Sequence, residues 1–154
     1  MSPYQVLNDS GLMGWASVYM GYGRGWLTET DLRRFAAGQV ANGNRNPEVI
    51  AMAAGRSVGR DEAMCSIFRQ IDDPEQIAST EDWRYAFLVC IRDSALGPDE
   101  KLRQARALYI RFDCPADMAV CVSEERDTLL RLLALDRTID DLKREVLAPV
   151  SSRH

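Results

Sequence analysis

The residues best equipped for chemistry in this chain are carboxylates in close pairs. Asp113 and Asp117 stand four apart, Asp140 and Asp141 are adjacent, and Asp72-Asp73 and Glu81-Asp82 are further acidic doublets. Such pairs can share one proton or grip a divalent cation. Each also has a plainer role. Asp113 and Asp117 lie near a predicted helix start, where free N–H groups favour negative charge, so capping outweighs catalysis. Asp140 and Asp141 lie beside Lys143 and Arg144 on a solvated helix face, and no doublet has the spacing of a calcium loop. The single histidine, His154, is the last residue, far from any rigid element that could hold it against a substrate. Cys-His and Ser-His schemes and histidine metal sites are therefore not expected, and no cofactor is indicated.

Other motifs give way in the same manner. Gly21-Tyr22-Gly23-Arg24-Gly25 has the glycine density of a phosphate loop, without its lysine and hydroxyl and without a preceding strand. It reads as a helix C-cap and loop. Cys65, Cys90, Cys114 and Cys121 are scattered through apolar patterns, as buried thiols in a reducing compartment would be. Trp83, Arg84 and Tyr85 behind Glu81-Asp82 combine the residue types enriched in interface hot spots. Trp83 fits the core, whereas Arg84 and Tyr85 are expected off the inward stripe.

What must position these groups is a set of helices. Of 154 residues 46% are hydrophobic and 27% charged, a globular composition in which no apolar run approaches a membrane span. The start lacks a secretory signal, so a cytoplasmic location is the default. The net charge of −4, with no basic tract, argues against nucleic acid. Lys101 and Lys143 are the two lysines in an otherwise arginine-based positive set.

Punctuation predicts a turn at Pro3–Leu7 and a helix over Leu12–Tyr22 carrying Trp15, Val18, Tyr19 and Tyr22. A third helix is capped by Thr28 with Asp31 and stopped by Asn42-Gly43-Asn44, and a short one is opened by Asn46-Pro47-Glu48 and ended by Gly55. Asp61–Ile71 follows, with Ala63, Met64, Ile67, Phe68 and Ile71 inward, then Asp72-Asp73-Pro74 as a stop. Ser79 or Thr80 caps a helix with Trp83, Ala86, Phe87, Cys90 and Ile91 inward. Gly97-Pro98 turns it into another, with Leu102, Ala105, Leu108, Tyr109 and Phe112 inward. Cys114-Pro115 turns the chain into Ala116–Val122. A last helix runs from Ser123 to Leu147, with Leu132, Leu135, Ile139, Leu142 and Val146 as a two-heptad seam. The expectation is all-α: about seven helices in successive antiparallel pairs, a stacked HEAT-like or bundle array. It forms one domain over 1–154, with 148–154 a frayed tail.

Three segments, Gly25-Trp26-Leu27-Thr28 with Asp31-Leu32, Asp82-Trp83-Arg84-Tyr85, and Tyr109 to Met118, together resemble an uncharacterised family of bacterial all-helical proteins, a domain of unknown function. Its marks are a Gly-Trp helix entry, a tryptophan-led middle helix and a Tyr-x-x-Phe-Asp-x-Pro-x-x-Met corner. Families of this kind are thought to include immunity proteins that neutralise toxins. The resemblance thus implies a non-enzymatic protein-binding domain whose partner is a basic toxin domain. Glu81, Asp82, Arg84, Tyr85, Asp113 and Asp117 are the expected contact residues. The alternatives are a helical homo-oligomer, dimeric through Leu132, Leu135, Ile139 and Leu142, and a carboxylate-dependent enzyme.

Overall fold

A computed structural model of the chain describes residues 1–56, 59–72 and 80–148. Their regular structure is helical throughout: α1 Pro3–Asp9, α2 Trp15–Gly23, α3 Glu29–Ala41, α4 Pro47–Ala53, α5 Arg60–Arg69, α6 Thr80–Arg92, α7 Pro98–Arg111, a 3-10 turn Ala116–Met118, and α8 Thr128–Val146. No described helix is long and apolar enough to cross a membrane. The expected tail with His154, the Asp73-Pro74 stop and the Ser79 cap lie outside the described residues.

Local chemistry accounts for most of the boundaries. Proline opens α1, α4 and α7, where its missing N–H removes no helical bond. Ser2 accepts from the Gln5 N–H at 3.3 Å and Asn46 from the Glu48 N–H at 2.9 Å. At α3 the Asp31 N–H donates to Thr28 Oγ1 at 3.1 Å and the Thr28 N–H to Asp31 Oδ2 at 3.2 Å, a reciprocal capping box. Thr28→Ala is expected to cost about 1 kcal/mol, read as a lower urea midpoint at unchanged m-value. The first four helices end on Gly11, Gly25, Gly43 and Gly55, all at positive φ. At α4, for example, the Gly55 N–H bonds Met52 O and the Arg56 N–H bonds Ala51 O, the Schellman pattern in which glycine carries no Cβ penalty.

Contacts group the chain into two compact units: Met1–Leu12 with Ser79–His154, and Met13–Ala78 between them in sequence. In the first, the terminal unit, α6 packs against α1, α7 and α8. Trp83, Ala86 and Leu88 are fully buried, and Asp82, Arg84 and Tyr85 are buried too. The expectation that Arg84 and Tyr85 lie off the inward face is thereby corrected, while Phe87 and Cys90, expected inward, are only half-buried. A helix with neighbours on several sides has no single stripe, so 3.6-residue periodicity describes only one of its contacts.

The seam on α8 is corrected similarly. Leu135, Ile139 and Leu142 are buried inside the terminal unit, in the helix that packs on α6, and Leu132 is half-covered, so these side chains offer no free dimer face. Nor does α8 start at Ser123. Residues 119–126 form turns in which the Ser123 N–H bonds Val120 O and the Arg126 N–H bonds Ser123 O, and the helix is flanked by Asp127.

In the second, inserted unit, α3 packs on α4 and α2 on α5 around Val18, Tyr22, Phe35, Val49 and Ile67. Phe68, expected inward, is 49% exposed and tilts over Tyr19 at 5.5 Å between ring centroids. Successive pairing holds for α3 with α4 and for α6 with α7. The pairs α1–α6, α2–α5 and α6–α8 are non-successive and give the units their cores.

Candidate functional site at the corner after the seventh helix

The corner begins as an ordinary helix end. The Asp113 N–H bonds Ile110 O at 3.3 Å and the Cys114 N–H bonds Tyr109 O at 2.8 Å, the same Schellman pattern that closes α4. Here the left-handed position is held by Asp113, at φ 60, and Cys114 follows at φ 55. Left-handed backbone costs an L-residue roughly 1–2 kcal/mol, least for Asp and Asn. Asp113→Gly is therefore expected to stabilise the fold by about 1 kcal/mol, seen as a raised melting temperature with an unchanged circular dichroism spectrum.

Asp113 and Asp117 were expected to cap a helix start, and neither does. Pro115 precedes a single 3-10 turn, Ala116–Met118, rather than a helix to Val122. Asp113 terminates α7, and the Asp117 carboxylate is taken by Arg84 of α6. Arg84 Nη1 and Nη2 donate to Asp117 Oδ1 and Oδ2 at 2.7 and 2.9 Å, a bidentate pair. Its Nε and Nη2 also donate to Glu81 Oε1 and Oε2 at 3.2 and 2.5 Å. Burial opposes the charged guanidinium, and the bonds to Asp117 and Glu81 overcome it, so the Arg84 pKa is raised. The Arg84 side chain is 3% exposed, whereas those of Glu81 and Asp117 are 32% and 42% exposed. One buried cation thus anchors two carboxylates that still face water.

A second anchor comes from α8. Thr138 Oγ1, buried, is 2.8 Å from Asp117 O and 2.9 Å from Ala134 O, tying the corner backbone to the last helix. Met118 is buried beneath the turn, and Cys121 Sγ donates to Met118 O at 3.2 Å. Tyr109 and Phe112, expected buried, are half-buried, with Phe112 meeting Phe87 edge-on at 6.2 Å between centroids.

Of the six residues singled out from sequence, Glu81, Arg84 and Asp117 come together, and Asp113 sits exposed in the same corner. Asp82 and Tyr85 are buried on α6 and so are not surface contacts. Thr138 was missed; its signal is one hydroxyl residue within the apolar series of α8. Both Asp117 oxygens accept from the Arg84 guanidinium, which stays charged. Asp141 is likewise engaged, by Arg144. Among the described residues no group of three His, Cys, Asp or Glu could hold a metal ion.

The thiols divide by environment. Cys65 and Cys114 are exposed, Cys90 is intermediate and Cys121 is buried. Burial pushes Cys121 up to about 11. Because its native pKa lies above that of an unfolded thiol, its contribution to stability is complete below about pH 9 and is lost as pH rises through 11. A thiol reagent at pH 8 is expected to label Cys65 and Cys114 quickly and Cys90 slowly, and Cys121 only on unfolding; rapid labelling of Cys121 would contradict this packing.

No curated protein matches the chain, and no solved structure matches it. Residues 4–129, which include the corner and its anchor on α6, match the family described as an uncharacterized protein conserved in bacteria, DUF2247, and the chain belongs to that family.

Proposed function

We propose that this chain is a cytoplasmic protein-binding domain, an immunity protein that neutralises a cognate toxin by direct contact, with the corner at Asp113 and Asp117 meeting a basic surface of that toxin. The supporting observation is the residue choice in the corner. Where four other helices end on glycine, α7 ends on a strained, exposed aspartate. Strain held at a surface site is a mark of function rather than of stability. Arg84 and Thr138 fix the Asp117 carboxylate and backbone before any partner arrives, which lowers the ordering cost of binding. The net charge of −4 favours fast encounter with a cationic partner.

Co-purification with the product of a neighbouring toxin gene tests the reading. Asp113→Lys should weaken the complex and its salt dependence while Asp113→Gly leaves the protein folded. Absence of any complex, together with no rescue of toxin-expressing cells, would remove it.

A second reading, self-association, is favoured by Leu129, Leu130 and Leu133 at the head of α8, which are 63%, 44% and 57% exposed. Leu129 and Leu133 share a face one turn apart. Light scattering on a Leu129→Ser/Leu133→Ser variant decides it, since this pair leaves the buried side of α8 untouched.

A further inference from the structure

Apart from the corner, helix ends of the inserted unit line a small, partly open cavity of about 30 Å³. The C-terminal ends of α2 and α4 contribute Tyr22 and Gly55, the first two turns of α3 contribute Glu29 and Arg33, and Arg56 follows Gly55. A water-sized group needs about 10–15 Å³, so the cavity admits the oxygens of one oxyanion and not a whole metabolite.

The charges around it are unbalanced. Tyr22 donates its hydroxyl to Glu29 Oε1 at 3.0 Å, which occupies part of the one carboxylate present. Burial and this bond both push the Tyr22 hydroxyl up, keeping it a donor. Arg60 lies over the Tyr22 ring at 5.1 Å and donates to the Tyr22 and Gly23 carbonyls at 2.8 and 2.9 Å. Among the described residues the ion pair of this unit is Arg69 with Glu48, so Arg33 and Arg56 have no carboxylate partner.

Space for the guanidinium is preserved by Gly55. A Cβ at that position would lie 2.6 Å from Arg33 Nε and 2.7 Å from Arg33 Cζ, and φ is +69°. The glycine therefore serves two ends, the left-handed cap of α4 and the seat of Arg33.

We propose that Arg33 and Arg56 form a binding site for an oxyanion, the phosphate or carboxylate terminus of a ligand whose remainder lies in solvent. Guanidinia recognise such groups by charge-assisted, fork-shaped hydrogen bonds, and both arginines line this cavity. The site is independent of the corner and of any toxin contact.

The test is amide NMR on the full chain at fixed ionic strength in sodium chloride, titrated separately with inorganic phosphate and with acetate. Saturable shifts at Gly55 and Arg56 are expected with at least one of them; phosphate alone identifies a phosphate-bearing ligand, and acetate a carboxylate. Arg33→Gln/Arg56→Gln, which alters exposed side chains, should weaken binding by about tenfold or more. Glu29→Gln, which removes the like charge, should tighten it about two- to tenfold. Shifts that never saturate, or that survive the double arginine replacement, would overturn the site.

Discussion

A Glu81→Gln/Asp117→Asn variant is expected to lose about 3–5 kcal/mol of stability, because it leaves a buried guanidinium with no anion. The two sides of this network differ in exposure, and that decides which replacement hurts. Arg84 is the buried member, whereas Glu81 and Asp117 are about a third and two-fifths exposed. Removing the arginine returns two carboxylates to water. Removing the carboxylates strands the arginine in the unit around α6, where it cannot deprotonate. Arg84→Met, which keeps much of the aliphatic volume, is accordingly expected to cost about 1–2 kcal/mol or less, as replacements of buried ions by apolar groups do. Urea unfolding of both variants at pH 7 and moderate salt measures the contrast. Equal losses in the two would show that the network is held by packing rather than by charge. Since Asp117 is the corner residue, the double variant should also raise amide exchange in the turn Ala116–Met118.

Leu135→Asn/Leu142→Asn is the second large effect. Both side chains are buried in the terminal unit, 1% and 0% exposed. Truncating a buried leucine costs about 2–5 kcal/mol, and an unpartnered amide adds a desolvation penalty. The sum, about 5–10 kcal/mol, rivals the whole stability of a domain. The expected result is collapse of amide-exchange protection in α6 and α8 together. Read as a dimer seam, the same leucines predict a folded monomer after replacement. A variant that keeps native protection and merely changes its sedimentation would restore that reading.

The legible parts of this fold are those whose cause is local. Thr28 with Asp31, Asn46 with Pro47, and Gly55 at a helix end satisfy backbone groups within five residues, so boundaries at α3 and α4 follow from neighbouring letters. Burial on α6 has a distant cause. Arg84 and Tyr85 are covered because α1 and α8, from opposite ends of the chain, pack on the same helix, and periodicity within Thr80–Arg92 carries no record of that. The corner failed for another reason. Aspartate is favoured both before a helix start and, among non-glycine residues, in the left-handed position after a helix end. Asp113, two residues before Pro115, therefore reads as the first while being the second. The association of Glu81, Arg84 and Asp117 was half visible, since Glu81 and Arg84 are one turn apart, but the link to Asp117 crosses 33 residues of sequence.

The interrupted path of the terminal unit also sets an order of events during synthesis. Tyr4, Val6 and Leu7 on α1 are buried in a unit whose central helix begins at Thr80. At about 5–20 residues per second the ribosome needs on the order of 4–15 s to make the intervening chain. Every helix of the inserted unit is complete within that interval, with its pairings α2–α5 and α3–α4 all internal. Nascent α1 must therefore wait, uncovered, while its downstream neighbour folds first. The helix nearest the start of the chain is among the last to find its place, and a pause in translation before α6 would lengthen the period in which three apolar side chains stand open to the wrong partner.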